Sequence, residues 1–315
     1  MFVVAAALGS GRNVCPPKRG FRRYYERYDR IPMAQTKQQI QALLAGASTA
    51  PRHRFGQNFM IDRNLVTLVA EAGQIAPTDL VIEVGPGTGT LTEELLARSQ
   101  NVIAVEIDRD LAALLRQHFA GRPGFRLIEG DALSGKHELN PELLAPIAQA
   151  RLAGTCVKLV ANLPYNIASP LIIELLIAGV DLLAFTVQKE VAVRLKAACD
   201  TSEYGPLTVM AQLLAEVKLE RVLPPQAFWP APRIESALVT LRRRDQPLSD
   251  PRALGAFVAG LFSSRRKMLR KALQQLDIVD SDRILAELGI SGQQRPEVLS
   301  PTAILTLWQA TNREA

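Results

Sequence analysis

Short apolar runs alternate with amphipathic segments over most of the chain after Pro51. The apolar runs predict strands at residues 80–84, 101–107, 125–129, 158–161, 183–187, 209–217 and 237–242. Apolar side chains at helical spacing between these runs predict helices at residues 64–72, 91–98, 110–119, 171–177 and 190–198. Strands that alternate with helices in this way indicate an α/β fold built on a doubly wound, mostly parallel sheet.

The pattern changes after Arg244, where the strand signal ends. We therefore expect an α/β domain over residues 51–244 and a small all-helical domain over residues 250–315. The helices predicted for the second domain are residues 251–262, 265–276, 282–288 and 301–310.

The first 50 residues differ from the rest and are expected to be a basic, disordered extension outside the fold. Residues 12–30 are rich in arginine, with Tyr24, Tyr25 and Tyr28 interleaved. Three interpretations stay open for this segment: an RNA-contacting arm, an organellar presequence, or upstream sequence translated from a misplaced start. Met33 opens a polar, helix-like segment and would make a natural beginning.

Composition and charge narrow the class of protein. The chain has 315 residues, 48% of them hydrophobic and 22% charged, which is typical of a globular protein. A net charge of +6 and a pI of about 9.4 favour a polyanionic partner. A soluble basic enzyme without such a partner would show the same values.

The odd and sparse cysteine count points to a reducing compartment, and we expect a cytoplasmic protein. The three cysteines show no paired spacing, and the three histidines are scattered, so neither a disulfide framework nor a metal site is expected. The longest apolar stretch, residues 171–187, is interrupted by Glu174 and Asp181 and is too charged to span a bilayer.

Asn162, Leu163, Pro164 and Tyr165 follow an apolar run, residues 157–161, that is typical of a buried parallel strand. Ligands of such sheets bind beyond the carboxyl ends of the strands. The Asn162 side-chain carbonyl and the Leu163 backbone carbonyl can accept the two N–H protons of an exocyclic amine. Pro164 stiffens the turn, and Tyr165 can lie against the face of a base. A strand-to-helix turn with a capping Asn is the alternative interpretation.

A glycine loop with Gly85, Gly87 and Gly89 ends the first predicted strand. Its G-x-G-x-G spacing differs from that of pyrophosphate sites, so the loop alone is weak evidence. Glu106 ends the next strand, about 20 residues after the first glycine, where doubly wound folds place an acid against ribose hydroxyls. Asp131 follows the third strand and can accept from an adenine amine. Together these residues predict an adenosine-containing cofactor.

Other interpretations of these residues stay open. A dehydrogenase would use the same loop and acids, but residues 162–165 have no role in hydride transfer. Each acid taken alone is also explained as a helix cap or a solvated strand end. Upstream, residues 55–60 place a glycine between two aromatic rings beside two amides, which predicts either a loop that folds over a ligand or a helix lead-in.

Nine segments, taken in order, resemble the ribosomal RNA adenine dimethyltransferases, the kasugamycin-sensitivity family of class I methyltransferases with a Rossmann-like sheet. The resemblance runs from about Arg54 to Leu273, and Met60 departs from it because the family more often has Leu there. The matching segments are residues 56–60, 83–89, 105–108, 129–132, 162–167, 188–192, 204–207, 228–237 and 265–269.

The resemblance implies S-adenosylmethionine as methyl donor and dimethylation at N6 of two adjacent adenines. These adenines lie in a hairpin loop near the 3′ end of small-subunit rRNA, and the reaction belongs to ribosome biogenesis. Residues 162–165 would grip the target amine, and Phe228 would supply a second stacking face. The residues that match the cofactor site of the family are Asn58, Met60, Gly85, Gly87, Glu106, Asp131 and Asn162.

Basic side chains flank the predicted domain boundary and are candidates for phosphate contacts with the rRNA of an immature small subunit. The alternative is that these side chains belong to a solvated helix surface without a partner. Separately, we expect the protein to act as a monomer. The candidate residues are Arg242, Arg243, Arg265, Arg266 and Lys267.

Two other functions stay open. A 23S-type rRNA methyltransferase that confers antibiotic resistance uses the same chemistry, but Leu163 and the segments 188–192 and 228–237 favour the small-subunit branch. A nucleic-acid-binding factor that kept the fold and lost catalysis, like the related mitochondrial transcription factors, is the other. The intact residues 162–165 and the intact glycine loop argue against it.

Overall fold

A seven-stranded mixed sheet lies at the centre of the computed structural model, which describes residues 35–52, 55–135, 137–246, 248–263 and 267–312. The strands are β1 (Phe59–Met60), β2 (Leu80–Val84), β3 (Asn101–Glu106), β4 (Phe125–Glu129), β5 (Leu133–Gly135), β6 (Glu138–Leu139), β7 (Val157–Asn162), β8 (Leu182–Gln188), β9 (Ala215–Leu223), β10 (Phe228–Trp229) and β11 (Ser236–Arg243). The helices are α1 (Lys37–Gly46), α2 (Arg63–Ala72), α3 (Thr90–Leu96), α4 (Arg109–His118), α5 (Pro141–Leu152), α6 (Ala168–Ala178), α7 (Lys189–Lys196), α8 (Pro206–Leu214), α9 (Pro251–Ser263), α10 (Leu269–Gln274), α11 (Ser281–Glu287) and α12 (Pro301–Thr311).

The sheet runs in the order β4-β3-β2-β7-β8-β11-β9. Its first five strands pair in parallel, and β11 pairs antiparallel with both β8 and β9. This order confirms the predicted doubly wound, mostly parallel α/β sheet. Parallel pairing places the carboxyl ends of β2, β3, β4 and β7 at one edge, so the candidate residues that follow them meet there.

The prediction of a strand at residues 209–217 is wrong up to Leu214. These residues belong to α8, which begins at Pro206 with Gly205 as its N-cap, and β9 starts only at Ala215. Helix α8 is buried at nearly every position. Its sequence is therefore apolar at consecutive positions and lacks a period that would distinguish a helix from a strand.

The helices after residue 250 are confirmed as α9 to α12. Their side chains, such as Leu261 and Trp308, belong to the same core cluster as Leu183 of the sheet. Helix α8 contacts α9 and α12 as well as β9, which joins the two groups of elements. The described part of the chain groups as one unit, which differs from the expected division into domains 51–244 and 250–315.

The prediction that residues 1–50 are disordered is wrong for α1. Thr36 and Gln39 form a capping box at the start of this helix, a local signal that outweighs the polar composition of the segment. The prediction for residues 12–30 lies outside the described residues. Helix α1 buries Ile40 and Leu44, which form a small apolar cluster with Phe59 and Leu111.

Each helix that the structure describes is too short or too polar to reach across a bilayer.

Candidate active site

A cleft opens at the carboxyl edge of the parallel strands, with a volume of about 890 Å³ that includes open solvent at its mouth. The loop before β1, the glycine loop after β2 and the ends of β3, β4 and β7 line it. The structure thus brings most of the predicted site residues together. Those that line the cleft are Asn58, Met60, Gly85, Gly87, Glu106, Asp131, Asn162 and Pro164.

Gly85 and Gly87 line the cleft and have φ angles of +73° and +61°, which residues other than glycine rarely adopt. A Cβ atom on Gly85 would lie 3.0 Å from Pro164 Cγ, and one on Gly87 would lie 2.8 Å from the Phe59 ring. The two glycines therefore allow the loop to contact the turn after β7 on one side and β1 on the other.

Glu106 is a buried carboxyl at the end of β3, with 4% of its surface exposed. Its side chain accepts hydrogen bonds from the backbone N–H groups of Gly87 at 3.2 Å and Asp108 at 2.9 Å. Burial raises the pKa of Glu106 to about 7, and the two backbone donors oppose that rise. The predicted ribose acceptor therefore lies directly against the glycine loop.

Glu83 is a second buried carboxyl of the cleft, which the sequence analysis did not single out. Its side chain accepts from the Thr92 hydroxyl at 2.6 Å, and burial raises its pKa to about 8. The sequence signal that could have identified Glu83 is its position as the single acid within the otherwise apolar strand β2.

Asp131 lies at the turn after β4 and is half-buried. Its Oδ1 accepts from the Leu133 N–H at 3.0 Å, and its backbone carbonyl accepts from Asn140 Nδ2 at 2.9 Å. These contacts hold the carboxylate at the edge of the cleft, beyond the strand that neighbours Glu106.

The Asn162 carboxamide is held at both ends, at the carboxyl end of β7. Its Nδ2 donates to the backbone carbonyl of Asn58 at 2.7 Å, and its Oδ1 accepts from the Thr186 hydroxyl. The side chain is half-buried and lines the cleft. Because an amide oxygen has two lone pairs, Oδ1 keeps one for a ligand.

Leu163 and Tyr165 flank the cleft, although neither side chain is part of its wall. The Leu163 side chain is 1% exposed, and its N–H donates to the Thr186 backbone carbonyl at 3.2 Å. The Tyr165 ring is half-buried, and its hydroxyl shares a hydrogen bond of 2.8 Å with the Ser236 hydroxyl. Burial raises the pKa of Tyr165, so the phenol stays protonated.

The prediction that Phe228 presents a stacking face is wrong in this structure. The ring is 2% exposed and belongs to a core cluster with Met60 and Leu238. Pairing of β10 with β1 sets Phe228 opposite Met60, and this short ladder holds Phe228 inside the protein. The neighbouring Trp229 is half-buried and stacks on Phe59 with ring centroids 6.3 Å apart.

Arg52 fastens the loop before β1 to the start of α4. Its guanidinium forms ion pairs with Asp108 at 2.7 Å and with Asp110. Gln57 donates to Asp108 at 2.9 Å and accepts from the Arg52 N–H at 2.7 Å. These contacts hold residues 55–60 along the cleft. The sequence analysis missed them because the side-chain pairs are at least 51 positions apart.

Arg242 and Arg243 lie at the edge of the sheet opposite the cleft. Strand β11 runs antiparallel to β8, so Ser236 lies at the cleft edge and Arg243 about 20 Å away. Arg243 pairs with Asp181 at 3.1 Å, and Arg242 donates to Gln74 at 2.6 Å. The two arginines therefore lie away from the cleft, and their predicted phosphate contacts with rRNA stay a prediction.

The other predicted basic group is only partly described. Lys267 is exposed, whereas Arg265 and Arg266 lie outside the described residues. An RNA-binding role for these three residues stays a prediction.

The sequence matches known proteins over most of its length. Residues 49–312 match the sequence model of the family Ribosomal RNA adenine dimethylase. A Ribosomal RNA small subunit methyltransferase A of Picosynechococcus sp. is 39% identical over 260 residues, which cover 78% of this chain and 92% of that protein. The protein of the same name from Magnetococcus marinus is 40% identical over 266 residues, which cover 83% of this chain and 92% of that one.

Solved structures share the fold. A dimethyladenosine transferase from Plasmodium falciparum superposes with a TM-score of 0.68 at 23% identity, covering 81% of this chain and 98% of that one. The 23S rRNA methyltransferase ErmE superposes with a TM-score of 0.58 at 27% identity, covering 81% of this chain and all of that one. With the sequence match over residues 49–312, this chain belongs to the ribosomal RNA adenine dimethylase family.

Proposed function

We propose that this protein transfers methyl groups from S-adenosylmethionine to N6 of two adjacent adenines in the 3′-terminal hairpin loop of small-subunit rRNA. The reaction gives N6,N6-dimethyladenosine during ribosome biogenesis. Membership of the family and the names of the relatives near 40% identity support this substrate. The observation that carries the proposal is the Asn162 carboxamide, which lines the cleft together with the glycine loop and is held by hydrogen bonds to Asn58 and Thr186.

The cleft fits S-adenosylmethionine by the chemistry of its donors and acceptors. Glu106, a buried carboxyl against the Gly87 backbone, would accept from the ribose hydroxyls. Asp131, at the next strand end, would accept from the adenine amine, and Asn58 and Met60 would line the site. When bound, the cofactor supplies a methyl carbon activated by the positive charge of its sulfonium.

The groups around Asn162 would bind the target amine. Asn162 Oδ1 and the Leu163 backbone carbonyl accept its two N–H protons, which draws the nitrogen toward tetrahedral geometry. The lone pair that the ring otherwise shares is then localised, and the two oxygens offset the positive charge that builds on nitrogen. Positioning supplies much of the acceleration. The proton leaves to water afterwards, so the reaction needs no strong base.

The adenine must leave its stack to reach these acceptors. Bases in a hairpin loop cost least to extrude, in agreement with the proposed target. The Tyr165 ring belongs to the same turn as Asn162 and is tied through its hydroxyl to Ser236, and stacking of the base on it would contribute roughly 1–3 kcal/mol. With Phe228 in the core, Tyr165 is the aromatic face that we assign to the base.

A 23S rRNA methyltransferase is the second candidate, because ErmE shares the fold at 27% identity. Labelled S-adenosylmethionine, offered with immature small subunits or with naked large-subunit rRNA, separates the two. We expect label in small-subunit rRNA, recovered as N6,N6-dimethyladenosine. Label in the large-subunit RNA alone would favour the second candidate, and transfer to neither RNA would contradict both.

We further propose that the enzyme works as a cytoplasmic monomer without membrane contact. Size-exclusion chromatography with light scattering should give a mass near 34.5 kDa for the full chain. A mass of twice that value would contradict the monomer. Recovery of the protein with membranes after cell fractionation would contradict the location.

A further inference from the structure

Thr186 lies directly behind Asn162 in the sheet. It is the partner of Asn162 in the parallel pairing of β7 with β8, and it is 0% exposed. Its hydroxyl makes a hydrogen bond with Asn162 Oδ1. A carboxamide oxygen can only accept, so the Thr186 hydroxyl is the donor.

The other end of the carboxamide meets the backbone carbonyl of Asn58, 2.7 Å from Nδ2. This carbonyl can also only accept, so the amide nitrogen must face Asn58 and the oxygen must face Thr186. Rotation of the amide by half a turn would set two oxygens against each other. The two contacts therefore fix one orientation of Asn162 and leave the second lone pair of Oδ1 for a ligand of the cleft that Asn162 lines.

A valine at position 186 would have the same β-branched shape and would fill the same space in strand β8, but it would lack the hydroxyl. The neighbouring positions from Leu182 to Val187 are apolar and buried. A buried hydroxyl destabilises a protein unless it is hydrogen-bonded, and the bond that offsets this cost ends on Asn162. The Thr186 backbone carbonyl also accepts from the Leu163 N–H. Thr186 thus contacts both residues that are proposed to grip the amine.

We propose that Thr186 is a positioning residue for methyl transfer, whose hydroxyl holds the Asn162 carboxamide so that the remaining Oδ1 lone pair meets the target amine. The inference rests on the proposed role of Asn162. Without the hydroxyl, the amide rotates more freely and reaches orientations in which its nitrogen, a donor, faces the N–H groups of the substrate. Removal of the hydroxyl therefore lowers the rate of methyl transfer and leaves the affinity for the cofactor unchanged.

Thr186→Val in the full chain, assayed with S-adenosylmethionine and immature small subunits, tests this role. We expect kcat to fall about 10- to 100-fold, because small misplacements of a reacting group have effects of this order. The Kd for S-adenosylmethionine should stay unchanged. Thr186→Ser keeps the hydroxyl and should recover most of kcat.

Thr208→Val is the matched control. Thr208 is also 0% exposed, but its hydroxyl donates to the Arg194 backbone carbonyl in a part of the protein that does not line the cleft. This variant should lower thermal stability without lowering kcat.

Several outcomes would overturn the role of Thr186. Thr186→Val with the kcat of the wild type is one, and a loss that Thr186→Ser fails to reverse is another. A loss of kcat that Thr208→Val reproduces at equal stability would mark a general packing effect. If Thr186→Val does not fold, the kcat of Thr186→Ala is compared with that of Thr186→Ser, since these two variants also differ by the hydroxyl.

Asn162→Ala separates this inference from the proposed function. An active Asn162→Ala variant would end the proposed role of Asn162 itself. An inactive Asn162→Ala variant beside a fully active Thr186→Val variant would end only the role of Thr186.

Discussion

Asn162 and Asn58 are joined by a hydrogen bond of 2.7 Å between the side-chain nitrogen of the first and the backbone carbonyl of the second. The two residues are 104 positions apart, and both line the cleft. Asn58 is proposed to line the cofactor site, and Asn162 is proposed to bind the amine. This bond therefore links the two binding sites, and residues 55–60 contribute to the geometry of both.

Gly87→Ala should weaken S-adenosylmethionine binding by about tenfold or more. An alanine at this position would have to keep the left-handed backbone conformation of Gly87, which costs roughly 1–2 kcal/mol. Its methyl group would also displace the Phe59 ring. Gly121→Ala is the matched control, because its φ is +69° but nothing lies within 4 Å of the added Cβ. Calorimetric titration of both variants measures the difference. Equal affinities would contradict the assignment of the glycine loop to the cofactor.

The affinity for S-adenosylmethionine should depend on pH through Glu106. Burial raises the pKa of Glu106 to about 7, so the free protein holds this carboxyl protonated below that pH. Ribose hydroxyls bind to the ionised form, so the affinity should fall as the pH drops below about 7, by up to about tenfold per pH unit.

Glu106→Gln is the control for this pH dependence. It should bind the cofactor more weakly at about pH 8 and show a shallower profile than the wild type between about pH 6 and pH 8, where the buried Glu83 also titrates. A wild-type profile no steeper than that of Glu106→Gln would contradict the proposed ribose contact.

Phe228→Ala should lower the free energy of unfolding by about 3–5 kcal/mol, because the ring fills part of the core. Denaturant unfolding measures this change, and Phe228→Leu should lose less. An exposed stacking residue would behave differently: its removal would reduce methylation at unchanged stability. That outcome would restore the role that the sequence analysis gave to Phe228.

Much of the site could be predicted from the sequence because its signals are local. The glycine loop, Glu106 and the Asn162–Tyr165 turn each follow an apolar run, and parallel strands bring their carboxyl ends together whatever the details of packing. The capping box of α1 was equally local, and α1 confirms the helix-like segment noted after Met33, although the composition of residues 1–50 predicted disorder.

The remainder depends on pairing between distant segments. The ladder of β1 with β10 buries Phe228, and the reversed direction of β11 carries Arg242 away from the cleft. The contact of Thr186 with Asn162 follows from the register of β7 and β8. Hydrophobic periodicity indicates that a strand exists, but it does not indicate the neighbour of that strand or its direction.

Charge reversal separates the two candidate RNA-binding groups. The triple variant Arg265→Glu, Arg266→Glu and Lys267→Glu should flatten the salt dependence of RNA binding. Each lost phosphate contact reduces the slope of log K against log salt concentration by about 0.7–0.9. Arg242→Gln with Arg243→Gln should leave the slope unchanged, because these side chains lie at the opposite edge of the sheet and Arg243 pairs with Asp181. The reverse result would place the RNA on the opposite edge.

The most direct test of the account is methyl transfer by Asn162→Ala. Loss of one acceptor for the amine should reduce incorporation of labelled methyl groups into small-subunit rRNA by at least about 10²-fold, with RNA binding nearly intact. Asn101→Ala, an exposed asparagine at the start of β3 and outside the cleft, is the matched control and should methylate like the wild type. Full turnover by Asn162→Ala would contradict the central claim that this carboxamide grips the target amine.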